Sequence, residues 1–146
     1  MTDKCAPYNI SESLGSSRFL VLLREPLAKA VSLWNHHYGF EEHHPFLGSP
    51  NLNYYLNEAK YHNFIETWFK YFDPIKFLFI KSEDLFKRPN TVFRKICLFL
   101  HIKFIRIQER KDNVKDSIIT REIQEKFNNY FDETKKEVMK LTGLSW

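Results

Sequence analysis

The stretch RFLVLLREPLAKAVSLW (18–34) constrains the fold more than any other part of the chain. Segment 18–23 is a short apolar run, the pattern of a strand covered on both faces. It stops at Arg24. Pro26 then suits the first turn of a helix, where its missing N–H has no intrahelical acceptor to lose. From there Leu27, Ala30, Val31, Trp34 and Tyr38 recur at helical spacing as an apolar stripe. At roughly 100° per residue, Lys29, Ser32 and His36 fall on the opposite side. A buried strand leading into an amphipathic helix predicts an α/β fold, a parallel sheet flanked by helices.

The rest of the chain extends this pattern. Segment 75–81, IKFLFIK, reads as a second covered strand. Tyr61, Phe64, Ile65, Trp68 and Phe72 mark a helix before it, and Val92, Phe93, Ile96, Leu98, Phe99 and Leu100 a short apolar helix after it. Segment 39–51 is a breaker-rich loop, SEDLFKRP a turn, and 103–117 an irregular basic stretch. A long last helix over 119–142 carries Ile119, Ile123, Phe127, Phe131 and Val138, and Gly143 stops it. No repeat or linker divides the chain, so 1–146 reads as one domain. Two strands fall short of the roughly four to six that a stable sheet uses. Part of the domain is therefore expected to lie outside this sequence.

Composition narrows the function. A content of 43% hydrophobic residues in 146 suits one modest core, and 14 phenylalanines make that core aromatic. The net charge of +4 is spread among interleaved acids and bases, which argues against a nucleic-acid partner. Apolar runs of about five or six residues are too short to span a membrane, and MTDKCAPYNISESLGSS is no secretory signal. Cys5 and Cys97 allow at most one disulfide, and Cys97, within VFRKICLFL, reads as a small packed hydrophobe.

Chemistry concentrates at Arg24. Ligands of α/β folds bind beyond the carboxyl ends of parallel strands. A helix start there offers unpaired N–H groups and a positive dipole end, both favourable to phosphate. Arg24 adds a fork of donors. Ser32, two turns on, can donate a hydroxyl to the same anion, and Ala28 between them is small. The competing reading pairs Arg24 with Glu25 or another acid and leaves Ser32 in solvent. HHYGFEEHH places His36, His37, His43 and His44 around Glu41 and Glu42, but adjacent histidines on a helix diverge, so no metal is expected. Glu83 and Asp84 follow a strand and read as turn-fixing acids.

LLREPLAKAVS resembles the 3′-phosphate motif of sulfotransferases that use 3′-phosphoadenosine-5′-phosphosulfate, in the spacing of Arg24, Pro26 and Ser32. Lys29 stands where that family usually has a second arginine. AVSLWNHH is most similar to the N-sulfotransferase domain of heparan sulfate N-deacetylase/N-sulfotransferases. DKCAPY (3–8) resembles the family's acid-Lys-x-x-x-Tyr segment. The resemblance thereby implies Asp3 as catalytic base, Lys4 beside the sulfate, and His36 facing the substrate. The stretch from TWFKYFDPIKF through SEDL to LFLHI, and the closing NNYFDETKKEVMKLTGLSW, resemble the family's later segments. A basic segment before its last helix implies Arg110 and Lys111 over the 3′-phosphate.

The resemblance implies a P-loop-NTPase-like three-layer fold, sulfate transfer to a glycan or glycosaminoglycan acceptor, and residence in the Golgi lumen. It implies nothing about oligomeric state. The sequence also departs from the family at its phosphosulfate loop. Its four glycines (Gly15, Gly39, Gly48, Gly143) include none with a lysine two residues before it, so the 5′-phosphosulfate loop and its strand are missing. The chain is accordingly expected to be a C-terminal portion of such a domain, without activity alone. The alternative is a noncatalytic nucleotide-binding or interaction module. A nucleotide kinase is disfavoured by the same missing loop.

Overall fold

A computed structural model of the chain describes residues 5–38, 45–108 and 119–146. In chain order the elements are α1 (Ala6–Leu14), β1 (Phe19–Leu23), α2 (Pro26–Tyr38), α3 (Leu52–Glu58), α4 (Tyr61–Phe69), β2 (Phe77–Lys81), α5 (Ser82–Lys87), α6 (Pro89–Leu100), α7 (Arg121–Lys126) and α8 (Asp132–Thr142). Short 3-10 turns occupy Phe46–Gly48 and Pro74–Lys76. β1 and β2 pair in parallel, from Phe19 opposite Phe77 to Leu23 opposite Lys81, and make up the sheet among the described residues. The expected class, α/β with a helix-flanked parallel sheet, is what the chain adopts. Its residues group into two compact units, 1–23 with 63–112 and 24–62 with 113–146.

The first unit is built on an aromatic sheet face. Side chains alternate along a strand, so Phe19, Phe77 and Phe79 share one side. Phe19 stacks on its cross-strand partner Phe77 at 4.7 Å and meets Trp68 and Phe72 edge-on at 5.3 and 4.7 Å. Phe69 meets Phe77 and Phe79 at 5.3 and 6.1 Å. Such pairs add about 0.5–1.5 kcal/mol beyond area burial. Ile65, Trp68, Phe69 and Phe72 supply the facing layer because they recur at i, i+3, i+4 and i+7.

The opposite sheet face departs from expectation. Ile80 is buried and Leu78 half-buried, while Leu20 is 40% and Leu22 53% exposed. β1 is thus covered on one face, not two. α5 and α6 follow β2 and pack against it. α6 buries Val92 and Cys97, but Leu98 is 71% exposed, so the apolar run 98–100 does not all lie on the buried stripe. Neither Cys5 nor Cys97 is in a disulfide.

The second unit has an apolar core of Leu27, Ala30 and Val31 from α2, Phe46, Tyr55, Leu56 and Ala59 around α3, and Ile123, Phe127 and Phe131 near α7. Phe46 joins the two sides, edge-on to Trp34 at 5.9 Å and to Phe127 at 6.0 Å. Ile123, Phe127, Phe131 and Val138 are buried as their spacing predicts, but not on one helix. Phe127 leaves helical geometry (φ −113°, ψ 17°), and Asn128 and Asn129 follow it, residues that favour turns. Thr120 caps α7 by accepting from the Ile123 N–H at 3.4 Å, and Gly143, at φ 75°, ends α8 as expected. α1, α3 and α5 are helices that the periodicity did not predict: they bury Pro7 alone, the adjacent Tyr55 and Leu56, and no residue, respectively.

The open face of β1 yields a direct test. Leu22→Lys should change the unfolding free energy of this chain by no more than about 0.5 kcal/mol in urea titration, as for exposed positions. A loss of about 2 kcal/mol or more, the size for a buried leucine, would show that this face is covered in solution.

Candidate functional site

Arg24 and Glu25 alone make the bend between β1 and α2. Arg24 is half-buried there. The Glu25 carboxylate folds back over the helix start. Its Oε2 accepts from the Ala28 N–H at 2.8 Å, its Oε1 meets Lys135 Nζ at 2.8 Å, and its carbonyl accepts from the Lys29 N–H at 2.8 Å. The sequence reading expected open amides at this helix start, and here it needs correcting. Pro26 has no N–H, and that of Ala28 is held by Glu25. The negative charge that the helix dipole favours is already supplied from within the chain. An anion bound at this bend must be met chiefly by side chains.

Those side chains lie along one face of α2. Ala28, Ser32 and Asn35 follow each other at i, i+4 and i+7, on the flank of the apolar stripe. Ser32 and Lys29 are half-buried, so Ser32 does not simply face solvent. Ser32 is the seventh residue of the helix, a rise of about 9 Å from Pro26. Asn35 is only 7% exposed, and its Oδ1 has no hydrogen-bond partner among the described residues; the same holds for Trp34 Nε1. Each buried unsatisfied group of this kind costs about 1–3 kcal/mol.

His36 is exposed, and its neighbour His37 is the engaged member of the pair. His37 Nδ1 lies 3.1 Å from the Tyr55 hydroxyl, and its ring stacks on Tyr54 at 6.3 Å. Asn51 links the surrounding hydroxyls, its Nδ2 donating to Tyr38 at 3.4 Å and its backbone N–H to Ser49 Oγ at 3.3 Å. Burial pushes the Tyr55 phenol up from the ordinary 10, the Tyr38 hydroxyl adds to the rise, and hydrogen bonds with Ser49 and Asn51 oppose it. The sequence reading missed this cluster and the Glu25–Lys135 pair. Both join residues with no shared local pattern.

Asp3, Lys4, Arg110 and Lys111 lie outside the described residues, as do His43 and His44. Asp84 and Arg88 pair at 2.7 Å, and that hydrogen bond holds the Asp84 carboxyl below its ordinary range. This pair braces the end of helix α5, where the sequence predicted a turn. Among the described residues no group of three or more His, Cys, Asp or Glu could hold a metal ion.

The family model described as "Sulfotransferase domain" matches residues 6–144. No curated protein sequence matches the chain. Among solved structures, a sulfotransferase from Alicyclobacillus acidocaldarius superposes with a TM-score of 0.77 at 15% identity, over 98% of this chain and 61% of that one. The present chain therefore spans about three fifths of the length of that relative. The likeness in fold includes the helix-flanked parallel sheet.

Two measurements check the local physics. Glu25→Ala should lower stability by about 1–2 kcal/mol, combining a lost cap of about 1 with a partly screened ion pair of at most about 1. Lys135→Ala, which removes only the pair, should cost at most about 1 kcal/mol. Tyr55 has its proton held more tightly in the folded state, so its contribution is complete below about pH 10 and shrinks as pH rises beyond it. The stability of wild type relative to Tyr55→Phe should accordingly fall as pH rises above about 10 in urea titrations, and an unchanged difference would contradict the burial effect.

Proposed function

This chain belongs to the sulfotransferase domain family, and we propose that Arg24 and Ser32 hold the 3′-phosphate of 3′-phosphoadenosine-5′-phosphosulfate, the co-substrate that this family generally uses. One observation carries the reading: Arg24 stands where β1 gives way to α2, with Ser32 half-buried on the helix face beside small Ala28. The residues fit such a ligand. A guanidinium fork matches phosphate oxygens, and a hydroxyl adds a donor. The adjacent acid, Glu25, is paired with Lys135, which reduces its repulsion of an incoming anion. Lys29 adds charge on the same side of the helix without a fork.

In the whole protein the bound nucleotide supplies an activated sulfuryl group: the acceptor's nitrogen or oxygen bonds to sulfur as the sulfur–oxygen bond to the 5′-phosphate breaks, and adenosine 3′,5′-bisphosphate leaves. Arg24 and Ser32 act by position, fixing the phosphate so that sulfur and acceptor meet. Asp3 is assigned to take the acceptor's proton, and Lys4 to offset charge near the sulfate. Arg110 and Lys111 are assigned to the 3′-phosphate, and exposed His36 to the acceptor. The acceptor is a glycan amine or hydroxyl of the heparan sulfate type. A Golgi-lumen setting is what the family resemblance implies. On the chain's side, no described helix is long and apolar enough to cross a membrane.

Calorimetric titration with adenosine 3′,5′-bisphosphate tests the reading. Arg24→Ala removes a charge-assisted contact of about 1.5–3 kcal/mol and should weaken binding about 10- to 100-fold. Ser32→Ala should weaken it about 3- to 10-fold. Equal binding by wild type and Arg24→Ala would overturn the assignment. Sulfate transfer by residues 1–146 alone is expected to be unmeasurable, since no glycine-containing 5′-phosphosulfate loop is present in them. Turnover by this chain would show that the loop is dispensable, and its absence from the whole protein would favour a noncatalytic nucleotide-binding module.

A further inference from the structure

Asn35 is buried to 7% exposure, and its carboxamide oxygen has no partner among the described residues. Buried polar groups in native proteins are almost always answered by protein, water or ligand, so this one requires an explanation. Its place on α2 supplies one. Asn35 follows Ser32 by three residues, about 4.5 Å further along the axis and about 60° around it. It follows Ala28 by seven, so all three share a face. The apolar stripe of Leu27, Ala30, Val31 and Trp34 joins the core, and Asn35 lies on its flank, one turn beyond Val31 and about 40° around the helix from it.

Resting on the assignment of Arg24 and Ser32 to the 3′-phosphate, we infer that Asn35 is a further ligand-binding residue of that site, its Oδ1 accepting a hydrogen bond from a sugar hydroxyl. The phosphate itself does not suit this atom. A phosphate monoester at neutral pH presents acceptors, and Oδ1 needs a donor. The groups within one helical turn of a phosphate-binding serine are the hydroxyl beside the phosphate on the nucleotide's ribose and a hydroxyl of an acceptor sugar brought up to it. Asn35 thus contributes selectivity for hydroxylated ligands where Arg24 and Ser32 contribute affinity for the anion.

Titration of the full chain with adenosine 3′,5′-bisphosphate and its 2′-deoxy analogue separates the sources. If the ribose is the donor, wild type should bind the deoxy analogue about tenfold more weakly, and Asn35→Ala should bind both alike. If the acceptor is the donor, wild type should bind both nucleotides alike. Asn35→Ala should then weaken binding of a heparan sulfate oligosaccharide to the nucleotide-saturated chain about tenfold. Asn35→Ser, smaller but still able to accept, should keep part of the discrimination; circular dichroism of each variant separates a lost contact from a disturbed fold, and Asn35→Ser carries the test where Asn35→Ala does not fold. Variants indistinguishable from wild type with every ligand, while Arg24→Ala fails to bind nucleotide, would overturn the role of Asn35 alone. Failure of wild type to bind either nucleotide would overturn the phosphate site and this contact with it.

Discussion

The bend at Arg24–Glu25 sets the terms for the rest of the site. A strand that ends in two charged residues and then a proline must start its helix at once, and the helix start must be satisfied locally. Glu25 does this with its own carboxylate, accepting from the Ala28 N–H and pairing with Lys135 on α8. The helix dipole therefore meets an internal anion instead of waiting for an external one. This separates two tasks that a bare helix N-terminus would merge. Glu25 and Lys135 fix where α2 begins, and Arg24 stands half-buried at the end of the strand.

The sheet shows how unevenly burial is distributed around that bend. Phe19, Phe77 and Phe79 place three rings on one face, and Trp68, Phe69 and Phe72 answer them with three more. The other face holds only aliphatic residues, and over β1 it is open at Leu20 and Leu22. Parallel sheets are normally covered on both faces because crossover connections place helices on each. Here one face is covered and the other is partly open, and the two strands keep their parallel pairing. The aromatic face is packed, and the other leaves Leu20 and Leu22 exposed.

Legibility in the sequence followed how much each element relies on a repeating pattern. β1, the apolar stripe of α2 and the stop at Gly143 were readable because period, proline and glycine each have one dominant physical meaning. α1, α3 and α5 were not, since short helices that bury one or two residues, or none, leave no stripe. The run 119–142 misled for the opposite reason. Its apolar spacing is continuous, and Ile123, Phe127, Phe131 and Val138 are all buried, yet Asn128 and Asn129 break the backbone between them. Burial can be periodic across a turn. At the site, Arg24 and Ser32 stood out through spacing, whereas Glu25–Lys135 and His37–Tyr55 depend on tertiary proximity that no local pattern encodes.

α2 carries both kinds of information on one cylinder, and that arrangement explains why its polar flank is costly. Leu27, Ala30 and Val31 are locked into a close-packed core, so the helix cannot rotate to offer Asn35 to solvent. An asparagine in that position is held buried by its neighbours whether or not its oxygen is satisfied. A chain selected for stability alone would place an apolar residue there, since an unanswered buried acceptor works against folding. A carboxamide one turn from Ser32, on a helix whose orientation the core already dictates, fits a group whose partner is a ligand. The core supplies the rigidity, and the flank uses it.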